Sequence, residues 1–592
     1  MWSRVALVAA VVVTGGFATA QEALGWDLAS ESKNYSKTLE RQALYQSPAG
    51  QLLLRDVSNR NMSEALAAQL NDPEREFVSD LCWSGGDGCA GDARLYDWGR
   101  RGYGIVKPVL FTARNGATIA GHVWATRAGP AKRPGVVITN GSVQADEQMY
   151  WFAAQTLAKA GYVVLTFDPQ GQGQSDTFGE GADQSEGFPA QSDGRPFFDG
   201  TVDALDFFLS SAGHPYVPRP SCSTGTSHQA KQARRVKAGL DAAYNPFASM
   251  LDPTRIGLAG HSYGAAGVSY VAQSDPRVDA VVAWDNLAMP VATGKGFPPG
   301  EADCPARPQE RANAAITKPA LGMSADYGLP PTPNTSAPTD DNCGSTLGCK
   351  SKVSREFSKA GVDTGELLIR GGSHLDFSFI SNPAFGATLR GADLIAWYTQ
   401  AWFDKYVKHD LSADRRLLTD RWRYDSEEAA VDPDHDGNMF SSYFGSRLDI
   451  HRADGTRFTC EDLRSGCTGG LVADDGYPGV FSYFALATTP DGKGAAPGGD
   501  GIYASSPVVT TCTAKRRFVV TLTNPRGARI MRIVARVGRR IVGRSRGRRV
   551  GIRLSSVPAG VVRVRLTVTL QRNGKTVRTT VTRRYAPCAH RG

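Results

Sequence analysis

From residue 512 to its end this chain of 592 residues has no aspartate and no glutamate, against 22 lysines and arginines. The first 511 residues then hold 45 basic against 58 acidic side chains, a net of about −13, so the formal charge of +9 joins two differently charged bodies. No Cys-x-x-Cys pair and no His/Cys cluster occurs, which argues against a zinc site. No apolar run reaches the roughly 20 residues that a membrane-spanning helix needs. The longest candidate, residues 5–17, follows the basic start Met1 to Arg4 and ends in the small residues Ala18-Thr19-Ala20. That is the pattern of a secretory signal peptide over residues 1–20, with the mature chain starting near Gln21 and the protein exported or held at the cell surface.

Ten cysteines, an even number, fit an oxidising compartment. Cys82 with Cys89, Cys343 with Cys349, and Cys460 with Cys467 would close short loops; Cys222 with Cys304 and Cys512 with Cys588 would close long ones. Spacing leaves other pairings open. The length alone suggests about three or four domains.

Residues 21–104 mix helical patterning with a Gly/Cys/Asp-rich stretch and read as an accessory segment. From Pro108 the pattern changes. Two apolar runs flank Arg114-Asn115-Gly116-Ala117, a hairpin signal. Gly135-Val136-Val137-Ile138-Thr139 is a continuous apolar strand of the kind buried on both faces of a parallel sheet, and it ends at Asn140-Gly141-Ser142. An amphipathic helix follows, carrying Met149, Phe152, Ala153, Leu157 and Ala160 on one face. The next strand, 162–167, runs into Asp168-Pro169-Gln170-Gly171-Gln172-Gly173-Gln174-Ser175, which reads as a structural turn. A further helix (about 200–210) and a polar insertion (211–247) lead to Ile256-Gly257-Leu258-Ala259-Gly260-His261-Ser262-Tyr263-Gly264. Strands at 278–284, 319–325 and 365–370 end near Asp285, Asp326 and His374, and a helix with Leu394, Tyr398, Trp402 and Tyr406 closes the region near residue 410. Strands alternating with helices predict an α/β domain over 105–410 with a mainly parallel sheet and its chemistry at the strand C-termini.

The Gly-x-Ser-x-Gly pentapeptide around Ser262 has the sequence of a strand-to-helix turn that lifts a serine hydroxyl clear of the sheet. Its two glycines let the backbones approach. With the Asn140-Gly141-Ser142 turn, the Asp168–Ser175 loop, and a strand-end Asp326 followed by His374, the region resembles the α/β-hydrolase family. Within that family it is most similar to secreted bacterial carboxylesterases and cutinase-like polyester hydrolases. The resemblance implies a triad of Ser262 as nucleophile, His374 as base and Asp326 as the acid that orients it, with Asp285 as the rival acid. It also implies an oxyanion hole from the backbone N–H groups of Tyr263 and Ser142, and no cofactor or metal. A serine hydroxyl needs such a base because it is a poor nucleophile at neutral pH. The expected activity is hydrolysis of small or polymeric carboxylic esters through an acyl-enzyme. The alternatives are a serine peptidase on the same fold, or an inert surface-binding protein acting through its basic end.

Residues 411–511 form a Gly- and Pro-rich extension with no assignment. Within it, Asp432, Asp434 and Asp436 alternate before Gly437, as in calcium loops; the twelfth position is Tyr443 rather than glutamate, which excludes an EF-hand and leaves a solvated acidic turn as the alternative. The final 81 residues alternate β-branched and arginine positions, with Arg572-Asn573-Gly574-Lys575 as a hairpin turn, and predict a small β-sandwich. Its charge suits an anionic cell wall, lipid or polymer surface, the other reading being that arginines cover solvent faces. An exported chain argues against a nucleic-acid role.

Overall fold

The computed structural model describes residues 26–39, 48–72, 74–75, 90–92, 95–96, 98, 104–142, 146–186, 194–292, 300–338, 350–379, 387–418, 440–441, 443–463, 511–513, 517–522, 528–554, 562–572 and 575–587. The expected signal peptide and the Asp432–Asp436 stretch lie outside these residues, as do the Cys82–Cys89 and Cys343–Cys349 pairs.

The chain builds a mixed ten-stranded sheet in the order β1-β2-β4-β3-β5-β6-β7-β8-β9-β10. The members are β1 (Gly104–Thr112), β2 (Thr118–Thr126), β3 (Arg133–Thr139), β4 (Val163–Phe167), β5 (Leu251–His261), β6 (Ala280–Trp284), β7 (Ala320–Ala325), β8 (Thr364–Ile369), β9 (Arg447–His451) and β10 (Arg457–Cys460). The six central strands, β4 to β8 with β3 between β4 and β5, pair parallel. Antiparallel pairs border them on both edges, with the Asn115-Gly116 hairpin joining β1 to β2. The sheet does not stop near residue 410 but takes in β9 and β10 from the stretch that the sequence left unassigned.

Helices α1 (Leu28–Ser36), α2 (Pro48–Asn71), α3 (Trp151–Lys159), α4 (Arg195–Leu209), α5 (Gln229–Lys237), α6 (Tyr263–Ser274), α7 (Lys352–Lys359) and α8 (Leu389–Tyr406) accompany the strands. Strand alternation sorts the core into two layers. Val136, Ile138, Val164, Ala259 and Val282 pack with residues of α3 and α8, while Val137, Leu165, Leu258 and Val281 pack with residues of α4 and α6. Both faces are thus dry, which is why these strands read as unbroken apolar runs rather than as alternating ones. The expected bridge between Cys222 and Cys304 is present. Among the described residues, no helix is long and apolar enough to cross a membrane.

The basic end forms two smaller sheets. One has the order β11-β17-β16-β13-β14 and the other pairs β12 with β15. Their strands are β11 (Thr511–Thr513), β12 (Arg517–Thr521), β13 (Ala528–Val537), β14 (Arg540–Arg546), β15 (Arg549–Arg553), β16 (Val562–Arg572) and β17 (Lys575–Pro587). β16 pairs antiparallel with β17, with Arg572 opposite Lys575, while the predicted Asn573-Gly574 turn lies outside the described residues. Side chains from both sheets, among them Val520, Ile533, Val550, Ile552, Leu566 and Val568, share one buried cluster.

Candidate active site

The parallel strands deliver their C-terminal ends to one edge of the sheet, and β5 turns there directly into α6. Ser262 sits in the turn with φ 56° and ψ −119°, a positive-φ conformation that a residue with a Cβ adopts at a cost of order 1–3 kcal/mol. Its N–H donates to the Trp284 carbonyl at 2.9 Å, which fixes the turn to the end of β6. The flanking glycines are required by contact. A Cβ on Gly260 would lie 2.4 Å from the Gly264 carbonyl oxygen, and one on Gly264 would lie 2.2 Å from that of Asn140.

His374 begins a short 3₁₀ turn (His374–Phe377) in the loop after β8. Its Nδ1 lies 2.6 Å from Oδ2 of Asp285, the residue after β6, and both side chains are buried. Asp285 itself has φ 43°, so two of the three non-glycine residues at positive φ among the described residues are Ser262 and Asp285. Burial alone would raise the Asp285 carboxyl. The charge of Lys350, then the hydrogen bond and charge of His374, outweigh burial and hold it below the ordinary carboxylate value.

Here the structure departs from the triad assignment made on sequence: Asp326 is not the partner of His374. Its Oδ2 accepts from the Gly371 N–H at 2.7 Å and from Asn34 Nδ2 at 3.0 Å, and its Oδ1 accepts from the Ser441 hydroxyl. Burial raises its carboxyl above the ordinary value. The carboxylate joins α1, the loop before His374 and the segment ahead of β9. The physical reason is the path of that loop, which turns back across the sheet from β8 until the His374 carbonyl accepts from His261 Nε2 at 3.0 Å above β5. From there the imidazole meets the end of β6, while Asp326 holds the loop three residues upstream.

The loop after β3 approaches the same point from the other side. A Cβ on Gly141 would lie 3.1 Å from that of Ser262. Ser142 follows, and Tyr263 is the first residue of α6, where backbone N–H groups point out of the helix. The loop is held by Asp168, which accepts from Asn140 Nδ2 at 3.0 Å, the Glu147 N–H at 2.8 Å and the Gln174 N–H at 2.9 Å. Burial, then the charge of Glu147, pushes the Asp168 carboxyl up to about 7. The Asp168–Ser175 stretch is the structural turn expected, closed by the Ser175 hydroxyl donating to the Asp168 carbonyl at 2.6 Å. Trp284 and Met323, near the strand ends, are wholly buried core residues, and the Trp284 indole donates to Thr399.

Sequence reasoning passed over His261 and Tyr150. Both are buried, and the Tyr150 hydroxyl lies 2.7 Å from His261 Nδ1. His261 occupies a variable position of the pentapeptide, and the available signal was a polar ring at the end of an otherwise apolar strand. In chemical terms the arrangement presents a strained serine, an imidazole oriented by a buried carboxylate, and two backbone turns converging on the serine. Compared with protein-family models and with curated proteins, the chain matches none of them.

Proposed function

We propose that this protein is a serine hydrolase of the α/β-hydrolase type that cleaves carboxylic esters through an acyl-enzyme, with Ser262, His374 and Asp285 as its triad. The observation that carries the reading is the buried 2.6 Å hydrogen bond between His374 and Asp285, beside a serine held at positive φ in a strand-to-helix turn. In this scheme His374 takes the Ser262 proton as the hydroxyl attacks the carbonyl, then returns it to the departing alcohol. Asp285 fixes the imidazole tautomer by accepting from Nδ1–H and stabilises the cation that forms. The oxyanion is met by the N–H groups of Tyr263 and Ser142. Water repeats the sequence on the acyl-enzyme and frees the acid. Every step uses the chain's own side chains and backbone N–H groups together with water, so the scheme calls for no cofactor. In this reading the N-terminal pattern is a secretory signal and the enzyme acts outside the cell.

The basic end supplies anchoring in this reading. Across its five-stranded sheet Arg546 stands opposite Arg532, and Arg536 opposite Arg565; in the smaller sheet Arg517 faces Arg553. Like charges directly opposed destabilise a sheet, and from residue 512 onward the chain contains no carboxylate side chain to offset them. Twenty of the 22 cations are arginine, the side chain whose planar fork suits phosphate and carboxylate groups. An anionic cell surface is the partner that this face fits.

The test is hydrolysis of p-nitrophenyl esters of increasing acyl length beside a series of peptide anilides, by the wild type and by Ser262→Ala. Turnover of esters that the folded variant loses supports the reading. Turnover of anilides alone makes the protein a peptidase. If neither class reacts and a phosphonate leaves Ser262 unlabelled, the enzyme reading fails and the inert surface-binding alternative replaces it.

A further inference from the structure

Between the nucleophile and the two loops that would serve it runs a directed chain of three hydrogen bonds that the triad scheme does not use. The direction follows from what each atom is able to do. The His374 carbonyl only accepts, so His261 Nε2, 3.0 Å away, carries the proton. His261 Nδ1 is then the acceptor in the neutral ring, and the Tyr150 hydroxyl, 2.7 Å away, donates to it. With its hydrogen committed, the Tyr150 oxygen accepts the Gly141 N–H at 3.0 Å.

The environment keeps this pattern in place. Burial, then the charge of His374, holds the His261 imidazole well below its ordinary value, so the ring stays neutral. Burial pushes the Tyr150 hydroxyl upward, so it remains a donor. The His261 ring lies 4.5 Å from that of His374 and 6.0 Å from that of Phe377, and Tyr150 stacks on Trp284. The Phe379 N–H donates to the Met149 carbonyl at 2.8 Å, a second tie between the histidine loop and the segment carrying Tyr150.

We propose that His261 is a positioning residue: its neutral ring bridges the loop that carries the base His374 and, through Tyr150, the Gly141 turn that presents the oxyanion donor of Ser142. The proposal rests on the serine hydrolase reading. It adds that the base and the oxyanion loop are set in register with the nucleophile by the residue immediately before Ser262. Gly141, whose own N–H is spent on Tyr150, directs the turn so that the next N–H faces the reaction. Small displacements matter at such a site, since an error of about 1 Å in placing a reacting group costs on the order of 100-fold in rate.

Two amide replacements separate the two ends of the ring. In His261→Gln the amide nitrogen takes the place of Nε2 and keeps a donor for the His374 carbonyl. In His261→Asn the side chain reaches only the place of Nδ1 and keeps an acceptor for Tyr150. On the full chain, with the best ester found, His261→Asn is expected to lower kcat by about 100-fold with KM changed less than about 3-fold, while His261→Gln keeps kcat within about 10-fold of wild type. Tyr150→Phe, which strips the acceptor from Gly141, is expected to lower kcat by about 10-fold. Combined with His261→Gln it is expected to lower kcat by less than the product of the two single effects, because both changes break the same bond. Folding is followed by thermal unfolding of each variant, and Tyr150→Phe with its double variant decides the matter if His261→Asn does not fold. Wild-type kcat in folded His261→Asn, equal losses in the Asn and Gln variants, or strict additivity with Tyr150→Phe would overturn the proposal. Labelling of wild-type Ser262 by a phosphonate is run alongside: an unlabelled wild type sinks the hydrolase reading itself, whereas a labelled wild type with indifferent His261 variants sinks only the positioning role.

Discussion

Three strands of the sheet end in a buried aspartate, and the three do different work. Asp168 after β4 and Asp326 after β7 each accept three hydrogen bonds from the protein and have their carboxyls raised by burial. Asp285 after β6 has the lowered carboxyl, a backbone at positive φ, and one oxygen on His374. Among the described residues its buried Oδ1 has no hydrogen-bond partner. Position on the sheet is therefore not what distinguishes an orienting acid from a structural one. The distinction lies in which donors reach it: neutral amides and a hydroxyl at the first two, an imidazole at the third, while the charge of buried Lys350 is felt by both Asp285 and Asp326.

The sharpest way to break this comparison is to replace the aspartates one at a time. Asp285→Asn keeps the shape but presents an amide to Nδ1–H. The expected loss in kcat is about 10³- to 10⁴-fold, the scale on which triads depend on the correct tautomer, in a protein that still unfolds cooperatively. Asp326→Asn is expected to act the other way round. It sets an amide among three donors and should cost about 1–3 kcal/mol of stability, read from urea unfolding, with kcat reduced less than about 10-fold.

A subtler effect is expected in acid. The carboxyl of Asp285 is depressed in the folded protein, so its contribution to stability is present above the ordinary value of 3.8 and lost as pH falls through the lower folded value. Lys350→Met removes the largest influence holding it down. The midpoint of acid unfolding is expected to move to higher pH in that variant. Asp168 has the opposite sign. With a folded value of about 7 against an ordinary 3.8, the folded state binds the extra proton, so stability should decline as pH rises from about 4 to about 7. Denaturant unfolding across that range should show the decline in wild type and a flatter profile in Asp168→Asn. Smallest of all, for small soluble esters, is the effect of the basic end. Arg532→Ser with Arg546→Ser is expected to leave kcat/KM unchanged while weakening retention on anionic vesicles, in a salt-dependent way.

Much of the α/β body could be read in advance because buried parallel strands write themselves as apolar runs, and because the strand-to-helix turn demands glycine at 260 and 264. The turn between β1 and β2 was equally visible, whereas the Cys222–Cys304 bridge was one of several pairings that spacing left open. What was not legible was the identity of the acid. Asp285 and Asp326 look alike in sequence, each an aspartate closing an apolar strand, and the choice depends on how far a loop folds back over the sheet. That path is set by Asn34, Gly371 and Ser441, residues distant in sequence that meet on Asp326. The joining of β9 and β10 to the sheet was hidden for a related reason, since short edge strands such as Arg457–Cys460 carry little apolar pattern. His261 was hidden inside the motif that made its neighbour conspicuous.

The most direct test of the claim that Asp285 serves His374 is the proton resonance of the His374 Nδ1–H, recorded in the wild type, Asp285→Asn and Asp326→Asn at a pH where the imidazole is protonated. The geometry predicts a far-downfield signal from the short hydrogen bond to Asp285, kept in Asp326→Asn and lost in Asp285→Asn. A signal that survives in Asp285→Asn and disappears in folded Asp326→Asn would contradict the account and return the role to Asp326.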